Sequence, residues 1–253
     1  MTGRVLGLIA LGLVLIAGGG LVLLTWGQNI QVQETQREMD TMSSIPNDHW
    51  KQLAGIRVFF GHQSVGDNIV DGIEDLMGEN PNIQLEIVDL DHHNTDSSRG
   101  FYHKKIGRNT RPKSKLNAFR RELEKRADDP FDIALMKFCY VDLRDGDDPD
   151  VVFDLYKTTM SELEIRYPNT VFIHSTVPIE AVTSTMRRRL KESVKSLIGR
   201  RGVVEDNWVR QRYNDLLRSS YEGRGWVFDI ARAEISAPDG SESFKTHPVA
   251  YTN

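Results

Sequence analysis

Cysteine is almost absent from this chain: Cys139 stands alone among 253 residues, so no disulfide can form within it. That neither favours nor opposes a place outside the cytoplasm. Basic charge is not in excess either, because 32 Lys and Arg face 36 Asp and Glu for a net charge of −4. Nucleic acid is therefore not an expected partner, and any basic site must be local. There is no internal repeat and no low-complexity tract. Metal-ligand spacing is missing as well: Asp91, His92, His93 and Asp96 in DHHNTD are suitable by type, but no i, i+4 pattern or known motif organises them. A solvated loop is the plainer reading, and neither a metal nor another cofactor is expected.

What the chain does have is one long uncharged run. Residues 5–26, VLGLIALGLVLIAGGGLVLLTW, are long enough to cross a bilayer as a helix. Arg4 precedes the run and an uncharged QNIQVQ follows, which by the positive-inside rule places the remainder of the chain outside the membrane. The rival, a cleaved signal peptide, suits the sequence less well, since the run exceeds the usual apolar core and no A-x-A site closes it. The expected organisation is an anchor at 1–27, a polar linker at 28–47 ending in a Ser-Ser-Ile-Pro turn, and a folded domain at 48–253. Its 39% hydrophobic and 27% charged content is ordinary for a globular domain.

Within the domain, strand-like apolar runs alternate with helical patterns. The runs are IRVFF (56–60), IQLEIVDL (83–90), DIALMKF (132–138), TVFIHST (170–176) and GWVFDI (225–230). Helical stripes lie between them: Val65, Ile69, Ile73 and Leu76; Leu116, Phe119 and Leu123; Val152, Leu155 and Leu163; Met186, Leu190, Val194 and Leu197; then 208–217. Five strands joined by helices predict a parallel sheet covered on both faces, in an α/β doubly wound domain. Ligands in such a fold sit beyond the carboxyl ends of the strands.

The segments at those ends hold the candidates. In FFGHQSVGDNIVDGI (59–73), Ser64 follows the first strand and opens the first helix, whose positive pole favours negative charge on a reacting oxygen. Two readings stand side by side: a nucleophile, or the cap of an ordinary helix, since Ser64-Val-Gly-Asp67 also fits a capping box. Gly61 and Gly66 permit a tight turn and close approach of a substrate. His62 is a possible auxiliary group. Residues 99–126 carry eleven Lys or Arg against Glu122 and Glu124, either a solvated helix face or a basic rim for an anionic substrate or lipid headgroups. Within this stretch, Gly107 and Asn109 can bring a backbone N–H and a side-chain amide over Ser64. MKFCYVD (136–142) puts Lys137, Tyr140 and Asp142 at the third strand end, where the plain alternative is an acidic turn with Asp150 capping the next helix. Cys139 has no base beside it in any motif and reads as a buried thiol. His174 reads as a core or strand-end histidine, whereas His247, in SFKTHPV, is the only histidine after the fifth strand.

Taken in order, FFGHQSVG, KIGRN and MKFCYVD resemble the SGNH (GDSL-like) hydrolases, a flavodoxin-like family of esterases and lipases, over about residues 55–253. More specifically they look like a bacterial, membrane-anchored branch of uncharacterised members. The resemblance implies a three-layer α/β/α domain, Ser64 as nucleophile, and an oxyanion hole from the N–H groups of Ser64 and Gly107. Three departures stand out. The family's Gly-Asp-Ser is absent, and Tyr140 or Val141 occupies the place of its third-block asparagine, leaving Asn109 or Lys137 as substitutes. The family's closing Asp-x-x-His block is also missing before AYTN, which implies a sequence truncated short of its catalytic histidine. Asp239 and His247, eight residues apart rather than three, replace it poorly.

The expected activity is acyl transfer through a Ser64 acyl-enzyme on an ester outside the cytoplasmic membrane, such as an acetylated envelope polysaccharide or a lipid. A non-catalytic, membrane-tethered binding domain on the same scaffold is the alternative. A metal-dependent phosphoesterase using His92, His93 and Asp96 is a third possibility.

Overall fold

The computed structural model describes residues 46–92, 99–144, 146–180 and 203–234. After a short helix α1 (Asn47–Ala54), the chain runs β1 (Arg57–His62), α2 (Ser64–Glu79), β2 (Ile87–Asp89), β3 (Gly100–Lys105), α3 (Pro112–Glu124) and β4 (Ile133–Met136). A 3₁₀ turn (Tyr140–Asp142) leads to α4 (Pro149–Arg166), followed by β5 (Val171–Ser175), α5 (Val203–Tyr221), β6 (Trp226–Phe228) and α6 (Ile230–Ala233). The six strands form one parallel sheet in the order β2-β3-β1-β4-β5-β6.

Strand residues alternate between two cores, which makes the architecture three-layered. Phe59, Tyr102, Ala134, Met136 and Phe172 pack against Leu116, Phe119 and Leu123 of α3, Phe153, Tyr156 and Met160 of α4, and Tyr213 and Leu217 of α5. Val58, Phe60, Phe101, Leu135, Ile173 and Phe228 face the other way, onto Trp50 of α1, Ile69, Val70 and Ile73 of α2, and Ile230 of α6. Strands buried on both faces read as continuous apolar runs, which is why IALM and RVFF were recognisable from composition.

Among the described residues the strands number six rather than the expected five, and the addition is β3. GFYHKK lies in the basic stretch, where no strand is expected from the sequence, yet Phe101 and Tyr102 are 2% and 0% exposed and pair with both neighbours. Its polar half, His103 to Lys105, hides the apolar signal. Conversely, the run at 83–90 is strand only over Ile87–Asp89. The helix after the 3₁₀ turn is capped by Asp148, not Asp150: Pro149 has the fixed φ suited to a first helical position, and the Asp148 carboxylate accepts from the N–H groups of Asp150 and Val151.

The crossovers locate a crevice. From β1 the chain leaves through α2 on one face towards β2, whereas from β4 it leaves through α4 on the opposite face towards β5. Adjacent strands whose connections diverge in this way leave a gap beyond their carboxyl ends, here between Ser64 and the segment after Met136. Among the described residues no helix is long and apolar enough to cross a membrane; residues 5–26 lie outside them.

Candidate active site

Ser64 is exposed and occupies the first position of α2, directly beyond β1. The capping box does not form. Gln63, not Ser64, is the N-cap, and its side chain turns away from the helix to donate from Nε2 to the carbonyls of Ile106 (2.9 Å) and Gly107 (3.2 Å). Two consequences follow. The Ser64 hydroxyl is not committed to the helix end, and the turn after β3 is held against the turn after β1, an attachment reinforced by the Ile106 N–H donating to the His62 carbonyl at 2.8 Å. The sixteen-residue α2 aims its N-terminal dipole at this place.

Gly107 allows that turn to close. Its φ is +62°, and a Cβ there would lie 2.6 Å from the backbone Cα and N of Lys115, so no other residue fits without moving α3. Asn109, exposed, is held by Lys115, whose Nζ donates to its Oδ1 at 3.0 Å; the amide NH₂ is the part of the side chain that can donate. Lys115 in turn forms an ion pair with Asp142, both side chains being fully buried. The Asp142 carboxylate also accepts from the N–H of Thr110 (2.8 Å) and of Cys139 (2.7 Å). Asp142 is therefore the post that ties the IGRN turn to the end of β4, and its side chain is fully buried. Tyr140 is likewise engaged. Its carbonyl accepts from Arg210 Nε at 2.8 Å, and the guanidinium lies over its ring at 5.4 Å.

Lys137 is different. It continues the β1–β4 ladder by one step, its N–H donating to the Gly61 carbonyl at 3.1 Å, so its side chain lies on the α2 face beside His62. It is 1% exposed, and its Nζ has no hydrogen-bond partner among the described residues. Burial lowers its pKa below the usual lysine value. Glu234, just past α6, interacts with it electrostatically; burial pushes the Glu234 carboxyl up to about 7, against the Ile179 N–H it accepts from at 3.1 Å and the attraction of Lys137. His62 is not free to serve Ser64. Its Nδ1 meets the Gln63 carbonyl at 3.1 Å and its Nε2 the Nδ1 of His103 at 3.1 Å, with the ring stacked on Phe60. Burial holds it neutral, with a pKa of about 4.

Other candidates lie elsewhere. His92 is exposed and bonds Asp89 at 2.6 Å, while among the described residues no group of three or more His, Cys, Asp or Glu is arranged to hold a metal. Besides Lys115, four of the eleven cations of the basic stretch pair with acids from other elements: Lys104 with Asp91 and Glu122, Lys105 with Asp67, Arg99 with Asp132, and Arg120 with Glu162. His174 bonds the Tyr156 hydroxyl at 2.9 Å and stacks on Tyr221, and burial puts its pKa at about 4. His93, Asp96, Asp239 and His247 lie outside the described residues.

Sequence reasoning singled out Ser64, Gly107, Asn109 and Lys137, which come from three strand ends. It missed Gln63, Lys115 and Glu234. Lys115 was hidden among ten other basic residues, and nothing local distinguishes Glu234 in AEIS; Gln63 was readable only as a neighbour of Ser64. What the fold and site define is a parallel three-layer α/β domain bearing an exposed serine at a helix start, a glycine turn joined to it through Gln63, and a buried lysine just beyond the adjacent strand. No family model, no curated protein and no solved structure matches the chain.

Proposed function

We propose that this protein is a serine acyl hydrolase of the SGNH kind, with Ser64 as nucleophile and the N–H groups of Ser64 and Gly107 and the amide of Asn109 as oxyanion donors. The observation that carries the reading is the position of Ser64: exposed, uncapped, at a helix start beside the switch point, with Gln63 joining it to the Gly107 turn. The strand order supports it further. With β3 set aside, the remaining five strands follow the flavodoxin order 2-1-3-4-5, and β3 is an interpolation between the first two.

In this reaction the Ser64 oxygen attacks an ester carbonyl, the oxyanion is held by the three donors, the alcohol leaves, and water releases the acyl group. Asn109 takes the place of the third-block asparagine, since its amide is presented by Lys115 from a different loop. Residues 5–26 act as an N-terminal anchor and the domain works outside the cytoplasmic membrane on an envelope ester, polysaccharide-bound acetate or lipid. Hydrolysis of p-nitrophenyl acetate by the full chain, compared with Ser64→Ala, tests the reading. A loss of at least about 10³-fold is expected; equal rates would remove Ser64 from the mechanism.

A further inference from the structure

We infer that His62 is a positioning residue for the oxyanion hole: with its tautomer set by His103, it fixes the Gln63–Ser64 peptide and so aims the Ser64 N–H. The inference rests on the reading of Ser64 as nucleophile.

The carbonyl of Gln63 and the N–H of Ser64 belong to one planar trans peptide, in which the two bonds point in opposite directions. Whatever holds the carbonyl therefore aims the N–H. The Gly66 N–H donates to that carbonyl at 2.6 Å, and His62 Nδ1 lies 3.1 Å from it. Both draw the oxygen into the first turn of α2, which leaves the N–H pointing out of the helix start, beyond the strand ends, where the helix offers it no acceptor of its own. An ester carbonyl under attack by Ser64 places its oxygen within reach of this N–H. Gln63 is fixed from its other end too, through the bonds of its side chain to the Ile106 and Gly107 carbonyls, so the N–H groups of Ser64 and Gly107 are set in one frame.

The hydrogen bonds also dictate where the ring protons lie. A carbonyl can only accept, so the proton of the His62 ring is on Nδ1. Burial keeps this ring neutral, with a pKa of about 4; Asp67 of α2 favours the cation, while His103 of β3 and Lys137 beyond β4 oppose it. Its Nε2 is then a bare lone pair, and the Nδ1 of His103, 3.1 Å away, supplies the proton between them. Asp89, Asp67, Asp91 and Glu74 surround His103, but burial lowers its pKa as well. Its own protonation would take place at Nε2, so the Nδ1–H donor is present in either charge state. The reverse arrangement, with Nε2–H on His62, sets the Nδ1 lone pair against the Gln63 oxygen. Nor can the ring swing aside. Phe60 stacks on it with centroids 4.8 Å apart, and a Cβ on Gly66 would collide with Cβ, Cγ and Nδ1 of His62, so the first turn of α2 lies directly against the ring. The histidine and the second glycine of GHQSVG thus serve the same peptide.

The test has a spectroscopic and a kinetic arm, both on the full chain in detergent. In wild type carrying isotope-labelled histidine, long-range proton–nitrogen correlation spectra report which ring nitrogen bears the proton. His62 and His103, assigned through His62→Asn and His103→Asn, should both show Nδ1–H near neutral pH; Nε2–H on His62 would overturn the inference without touching Ser64. In hydrolysis of p-nitrophenyl acetate, His62→Leu should lower kcat by about 10²-fold and His103→Leu by about 10-fold, with KM little changed, as for a donor that acts in the transition state. Asparagine carries its NH₂ where histidine carries Nδ1, so His62→Asn and His103→Asn should each recover most of what the leucine variant loses. Equal losses in the leucine and asparagine variants, or a loss confined to KM, would overturn the positioning role even where a leucine variant is poorly folded. Equal hydrolysis by wild type and Ser64→Ala would overturn the reading of Ser64 and this inference with it.

Discussion

Replacing Asp142 by alanine isolates the post that holds the oxyanion turn to β4. The substitution leaves the Lys115 ammonium, which is 0% exposed, without its counter-charge, and breaking a buried pair from one side costs about 3–5 kcal/mol. The Cys139 N–H, buried, loses its acceptor as well, adding about 1 kcal/mol or more; the Thr110 N–H, in a part-buried bond, loses its acceptor too. We expect a loss of about 4–6 kcal/mol in urea unfolding followed by tryptophan fluorescence. Lys115→Met alone should cost several kcal/mol too, since Asp142 is then the uncompensated charge. The double variant should lose less than the sum of the two by about 2 kcal/mol or more, the signature of coupled partners. Additive losses, or a cost below about 1 kcal/mol for Asp142→Ala, would refute the view that this pair organises the site.

Three further outcomes follow from the same geometry. Between about pH 7.5 and pH 5, His62 and His174 each weaken the fold by about 2 kcal/mol, because their folded pKa of about 4 lies below the unfolded 6.5 and the unfolded chain binds the extra proton. Glu234, raised to about 7 in the fold, binds its proton before the unfolded chain does and gives back about 2 kcal/mol over that interval. Glu234→Gln should therefore lose stability more steeply on acidification than wild type; parallel slopes in urea titrations at the two pH values would refute the assignment. Gly107→Ala forces a non-glycine residue to a φ of +62° against the Lys115 backbone, and a loss of about 2–3 kcal/mol is expected, together with slower ester hydrolysis. Asn109→Ala should lower kcat/KM for p-nitrophenyl acetate by about 10²-fold or more while costing about 1 kcal/mol of stability; a KM effect alone would deny it an oxyanion role.

The sheet's centre was readable because β1, β4 and β5 are buried on both faces and read as uninterrupted apolar runs. β3 was not, because a strand need be apolar only where it is covered: Phe101 and Tyr102 lie within the sheet, whereas His103 and Lys104 are half-buried and Lys105 is exposed. Ser64, Gly107, Asn109 and Lys137 were readable from their places just after strand ends. Their connections were not. That Gln63 caps the helix with its backbone while its side chain clamps another loop depends on where Ile106 falls in three dimensions, and no local pattern encodes it. Lys115 shows the same limit. Its sequence neighbours make it one more surface cation, and only the packing of α3 on the 3₁₀ turn turns it into a buried ion pair.

The central claim is that Ser64 is a nucleophile and not a helix cap. Its most direct test is mass spectrometry of the full chain after incubation with a fluorophosphonate, with the adduct mapped by peptide sequencing. The account predicts a single stoichiometric adduct on Ser64 that forms with native protein, is absent in Ser64→Ala and is lost on unfolding. An adduct on another residue that persists in Ser64→Ala, or no adduct on the native protein, would contradict it.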